Sequence, residues 1–83
     1  MERLTKAIDG GYVLDGTSED AVNRLGLFED FFEDLVREQA GYAGKLEDLR
    51  AKGKKNSAQF KELLGKKLMG SNTLLMLKMR GLE

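Results

Sequence analysis

The feature that most restricts this chain is a set of mostly apolar residues recurring in threes and fours through its middle. Ala21, Leu25, Phe28, Phe32, Leu35, Gln39, Tyr42, Leu46 and Leu49 follow one another at a 4-3-4-3-4-3-4-3 spacing. A helix of 3.6 residues per turn holds such residues on one side for about four heptads, whereas a strand would alternate them between faces. Gln39 is the one polar member. Leu27, Phe31, Val36 and Ala43 widen the stripe beyond a bare two-stranded seam, as a helix in a globular bundle requires.

The ends of this helix are also written locally. Thr17 or Ser18 offers an N-cap, and Glu19 and Asp20 fall in the first turn, where the helix dipole favours acids. At the other end, Lys52-Gly53-Lys54 puts cations in the last turn and a glycine where a left-handed C′ residue is needed. The expected helix spans about 18–52. Gly26, Gly41 and Gly44 oppose it by roughly 1 kcal/mol each. A kink or a close helix approach is expected where Gly41 and Gly44 flank Tyr42.

Beyond the stop, Asn56 or Ser57 caps a second helix with Phe60, Leu63, Leu64 and Leu68 on one face. Gly70-Ser71 reads as a break, because glycine closes one helix and serine or Asn72 opens another. Leu74, Leu75, Leu77 and Met79 then make a short, largely buried third helix that ends at Gly81. The expected helices cover about 56–69 and 71–80. Before all of these, residues 1–16 lack a helical period. Leu4, Ala7 and Ile8, then Asp9-Gly10-Gly11, then Tyr12-Val13-Leu14 have the order of a short β-hairpin turning at the glycines, with a disordered arm as the alternative. The expected architecture is therefore all-α: an N-terminal arm or hairpin over 1–16, then a helical domain over 17–83. That domain is a helical hairpin or three-helix arrangement with a long first helix.

Length sets the energetic frame. A domain of 83 residues buries only roughly 60% of its unfolded surface, so its core should be marginal. Neither cysteine nor histidine is present to add a disulfide or a structural zinc. Self-association or a protein partner is the remaining source of burial. No basic start followed by an apolar run marks a signal peptide, and the longest apolar stretch, Leu74 to Leu77, is too short to span a bilayer. A soluble, cytoplasmic protein with no membrane contact is the expectation.

Formal charge is zero, but it is unevenly distributed. Residues 1–36 hold nine acids against Arg3, Lys6 and Arg24, a net of −6, which leaves the remainder at +6. Packing the two halves side by side would neutralise this internally, and that arrangement is expected ahead of an anionic partner. Glu29, Asp30, Glu33 and Asp34 are read as a solvated face paired with bases of a neighbouring helix, and no metal is assigned to them.

Catalysis finds no support. Asp9 to Asp20 has the length of a calcium loop, but its sixth residue is Leu14 in place of glycine, and Gly11 and Val13 supply no side-chain oxygen. Without histidine there is no base for a hydroxyl nucleophile, and neither phosphate-cradling glycine motif occurs. A non-enzyme with no cofactor and no small-molecule substrate is expected.

Two binding readings remain. One is a protein interface, with itself or with a partner helix, along Leu25, Phe28, Phe32, Leu35 and Tyr42. Met69, Met76 and Met79 with Leu82 add a candidate adaptable surface, although core is the commoner use of such residues. The alternative is nucleic-acid contact through Lys52, Lys54, Lys55, Lys61, Lys66 and Lys67, in a degenerate helix-turn-helix broken at Gly70-Ser71. Its reading helix would be 72–78, where Leu74, Leu75, Met76 and Leu77 leave almost nothing polar to contact base edges.

The opening Met-Glu-Arg-Leu-Thr-Lys, the segment Ala21-Val22-Asn23-Arg24-Leu25 followed by Phe28-Glu29-Asp30, and the close from Leu63 to Leu82 ending in Arg80-Gly81-Leu82 resemble small uncharacterised proteins of Gram-positive prophages and conjugative elements. Many of those have a polar break after the Glu-Asp pair, where this chain continues with Phe31-Phe32 and a longer helix. The resemblance implies a bacterial mobile-element setting. It carries no activity or binding residues across.

Overall fold

The computed structural model describes residues 1–83. In chain order the elements are β1 (Thr5–Ile8), β2 (Gly11–Leu14), α1 (Ser18–Ala51) and α2 (Ala58–Met79). The protein is thus mostly helical with a long first helix, as the heptad spacing requires. It is not all-α, because the N-terminal segment forms an ordered hairpin. Its contacts fall into two units, Met1–Phe32 and Glu33–Glu83, and the division lies inside α1.

In Met1–Phe32, β1 and β2 pair antiparallel with Thr5 opposite Leu14 and Ile8 opposite Gly11. Asp15 extends the ladder by donating its N–H to the Leu4 carbonyl at 2.8 Å. Asp9 and Gly10 make the turn. Only Gly10 has a positive φ, 87°, as the second central residue of a type II turn needs. An isolated two-stranded hairpin is marginal in water, so its attachments matter. Arg24 on α1 donates to the Glu2 carbonyl, Arg3 lies 5.8 Å from the Tyr12 ring centroid, and Leu4 packs on Gly16. The start of α1 is capped by Thr17, whose hydroxyl accepts from Asp20 N–H at 3.1 Å.

In Glu33–Glu83, the second half of α1 and the whole of α2 form an antiparallel helical hairpin. Gly53, at φ 71°, takes the C′ position anticipated for it. Lys54 N–H reaches the Leu49 carbonyl and Gly53 N–H the Arg50 carbonyl, the two bonds of a Schellman motif. Ser57 rather than Asn56 caps α2: its hydroxyl accepts from Phe60 N–H at 3.1 Å while donating to the Lys54 carbonyl at 2.8 Å. A second Schellman motif ends α2 at Gly81, with Leu82 N–H on the Leu77 carbonyl.

Leu46, Leu49, Phe60 and Leu63 are the only buried hydrophobic side chains, the deepest being Leu46 at 3% exposed. Tyr42 and Leu64 pack against them. The Arg50 guanidinium sits 5.4 Å from the Phe60 ring centroid and covers it.

Farther from the turn, the seam carries its polar member. Gln39 Nε2 donates to the Lys67 carbonyl at 2.9 Å and to Ser71 Oγ at 2.7 Å, whereas Gln39 Oε1 is buried without a hydrogen-bond partner. The amide lies directly on Gly70. A Cβ added there would come within 2.7 Å of Gln39 Cδ and closer still to Oε1. Gly70 Cα–H therefore points at the orphaned oxygen, a weak contact that the absence of a side chain allows.

These facts correct several expectations. α2 is unbroken from Ala58 to Met79, so the third helix proposed over 71–80 does not exist. Gly70 is present for close approach and is buried against Gln39. Nothing lies within 4 Å of a Cβ built at Gly41 or Gly44, and α1 passes through both, so the close approach expected there occurs at Gly70 instead. The inward face of α2 runs Phe60, Leu63, Lys67, Gly70, Leu74 and Leu77, another alternation of threes and fours, and Leu68 points outward at 62% exposed. The final segment is also less buried than anticipated, with Leu75, Met76 and Met79 exposed.

Candidate functional site

The interface read from sequence is only partly open. Leu25 is 58% exposed. Phe28, Phe32 and Leu35 are half-buried, and Tyr42 is already engaged with the hydrophobic cluster, which removes it from the candidate surface. Spacing alone placed all five on one side, but it could not tell which were already covered.

Most of the residues that widen the stripe beyond that seam stay open to solvent. Val22, Leu25 and Val36 are exposed along one side of it, and Leu27 and Phe31 along the other. At 100° per residue these positions span roughly 220° of this part of α1, an arc that is mostly apolar and is interrupted by the exposed charges of Arg24 and Glu29. Exposed apolar residues scattered singly are normal, but a continuous strip of them marks a contact surface. The acids Asp30, Glu33 and Asp34 occupy the remaining arc. Of these, only Asp34 forms an ion pair, with Arg37 at 2.8 Å one turn along the same helix.

That pairing is typical of the whole molecule. Arg50 with Glu47 is likewise internal to α1, Lys52 just past its end pairs back with Asp48, and Lys66 with Glu62 is internal to α2. No ion pair joins the two helices. The mutual neutralisation expected between the acidic and basic halves is therefore replaced by local i, i+3 and i, i+4 contacts, each worth a few tenths of a kcal/mol in roughly that spacing. No cluster of three or more acids, histidines or cysteines is arranged to hold a metal ion.

The basic candidates do not form a stripe. Lys54 and Lys55 lie exposed in the loop between the helices. Lys61, Lys66 and Lys67 sit on three different sides of α2, successive members being about 140° and 100° apart. Lys67 is half-buried on the inward seam and gives its carbonyl to Gln39, while Lys52 and Lys66 are engaged by Asp48 and Glu62. With α2 continuous, no turn separates two helices within residues 60–79, so the helix-turn-helix layout is absent.

α2 carries its own exposed apolar set. Leu68, Leu75 and Met79 share a side at i, i+7 and i+11, and Met69 and Met76 lie beside them, all at least half exposed. The methionine surface weighed against ordinary core is thus on the outside. No helix is long and apolar enough to cross a membrane. Compared with protein-family models, curated proteins and solved structures, the chain shows no significant match.

Proposed function

We propose that this chain is a non-enzymatic interaction protein whose outward apolar helix faces are completed by another helix, from a second copy or from a protein partner. The observation that carries this reading is the mismatch between what is apolar and what is covered. Four hydrophobic side chains are buried, while Val22, Leu25, Leu27, Phe31 and Val36 stand exposed on α1 alone. Removing such surfaces from water is worth roughly 25 cal/mol per Å², so a helix that covers them gains directly. A cytoplasmic place and a bacterial mobile-element setting belong to the same proposal, the latter supported by the resemblance of the Met1–Lys6, Ala21–Leu25, Phe28–Asp30 and Leu63–Leu82 segments.

The test compares the full chain with a Leu25→Asp/Phe31→Asp variant. Wild-type protein should associate at micromolar concentration or bind the dye ANS, and the variant should lose that behaviour while keeping its helical circular dichroism. A wild type that stays monomeric and ignores ANS, with a variant indistinguishable from it, refutes the reading. Nucleic-acid binding is the alternative, favoured by one observation: apart from Arg37 with Asp34, no ion pair joins the +6 of the C-terminal part to the acidic part. In that case duplex DNA should bind most tightly at low salt. Its absence there eliminates the alternative.

A further inference from the structure

α2 is apolar on two sides. Leu63, Gly70, Leu74 and Leu77 face inward, and Leu68, Leu75 and Met79 face outward, with Asn72 completing a 4-3-4 spacing on that outer side. From Leu68 to Met79 the only charge is Lys78. A helix that is apolar all round is ordinarily covered all round. Together with Met69 and Met76, the outer side chains make a patch of the size, a few hundred Å², at which surfaces become contact sites.

We propose that the outer face of α2 is covered by the same face of a second copy, the two α2 helices running antiparallel about a two-fold axis at Asn72. This rests on the interaction-protein reading and names the partner. Three observations select that occupant. First, Asn72 sits in the middle of the patch, and its amide has only a weak contact, Nδ2 to Met76 Sδ at 3.9 Å. A carboxamide both donates and accepts, so it pairs with its own copy across an axis, while a lipid surface would leave it unpaired at a cost.

Second, an axis at Asn72 sets Leu68 opposite the copy's Met76, Leu75 opposite Met69, and Met79 opposite Gly65. Gly65 is exposed, and a Cβ there would meet nothing within 4 Å. It leaves a hollow for the long side chain of Met79, the most exposed residue of the patch at 78%. Third, charge favours this direction. Parallel helices would bring each charge of α2 against its own duplicate. Antiparallel helices place Glu62, the one acid on α2, two residues or roughly 3 Å of rise from the register position of the copy's Arg80, and the two lie on the same side because 18 residues make about five turns. Isologous two-fold contacts of this kind are the commonest way a soluble chain pairs with itself.

The experiment is sedimentation of the full chain over a micromolar range beside Leu75→Glu, together with oxidation of Asn72→Cys. The chain has no cysteine of its own, so a disulfide dimer of Asn72→Cys reports that position alone. An axis there brings the two Cα atoms within the roughly 7 Å that a disulfide spans. The expected result is a wild-type dimer, weakened about 30-fold or more by Leu75→Glu, as for loss of a central contact. Asn72→Cys should cross-link rapidly, and Lys66→Cys, on another side of α2, should not. Leu75 is exposed, so its replacement leaves the hydrophobic cluster intact, and retained helicity verifies this. A dimer indifferent to Leu75→Glu but dissolved by Leu25→Asp/Phe31→Asp overturns this proposal and leaves the interaction reading standing. A monomer throughout, with no Asn72→Cys cross-link, overturns it as well.

Discussion

Replacing Gly70 with alanine puts a methyl group where the Gln39 amide now rests, since the added Cβ would fall 2.7 Å from Gln39 Cδ. The backbone of α2 cannot retreat without disturbing the rest of the seam, so the side chain of Gln39 must leave. Doing so breaks its bonds to the Lys67 carbonyl and Ser71 Oγ, a loss of roughly 2 kcal/mol at about 1 kcal/mol per hydrogen bond. Alanine inside a helix returns about 1 kcal/mol over glycine. The net expectation is a chain destabilised by about 1 kcal/mol. In a Gln39→Ala background there is no amide to displace, and Gly70→Ala should stabilise by about 1 kcal/mol through propensity alone. The sign therefore reverses, and the coupling between the sites is about 2 kcal/mol. Urea unfolding followed by circular dichroism at 222 nm, a standard helix wavelength, measures all four proteins of the cycle. A coupling below about 0.5 kcal/mol, the scatter of independent sites, refutes the packing of Gln39 on Gly70.

Other expectations follow from the caps and the hydrophobic cluster. Ser57→Ala should cost about 1 kcal/mol by removing the acceptor for Phe60 N–H, read as a lower urea midpoint with unchanged slope. The glycines should separate by conformation: Gly53→Ala destabilises by roughly 1–2 kcal/mol because its φ of 71° is left-handed, whereas Gly44→Ala, in open space within α1, raises stability by up to about 1 kcal/mol. Equal effects at the two positions would contradict the C-cap. Phe60→Ala removes the ring against which Arg50 lies, at a cost of about 3–5 kcal/mol, and should leave most molecules unfolded by circular dichroism at 37 °C.

Much of the architecture was legible because it is encoded by neighbours. The three-four spacing specified α1 and its inward face, Thr17 and Gly53 marked its ends, and Asp9-Gly10-Gly11 marked the hairpin turn. α2 is less legible for a definite reason. Its inward series passes through Lys67 and Gly70, which break the apolar pattern, and Leu68 falls close enough in spacing to stand in for them. Gly70 looked like a stop because glycine is a poor helix former, and only the facing Gln39 shows why it is tolerated. The distribution of charge suggested pairing between halves, whereas the acids and bases one turn apart on each helix were closer partners. For the candidate surface, sequence identified the seam but not its occupancy: Tyr42 is already covered, and the open residues are its flanks and the outer side of α2.

The turn between the helices sits next to the best-buried cluster. Lys54 fastens it from both sides, giving its N–H to Leu49 at the end of α1 and its carbonyl to the N–H and hydroxyl of Ser57 at the start of α2. Leu49 and Phe60 thus meet across a very short loop, whose closure entropy is small. Assembly of this hairpin should begin at that closed end and run outward toward Leu35 and Leu74. Contacts so local in the chain are those that form in microseconds to milliseconds. Truncating Phe60 should then slow folding, while truncating Leu74 should chiefly hasten unfolding.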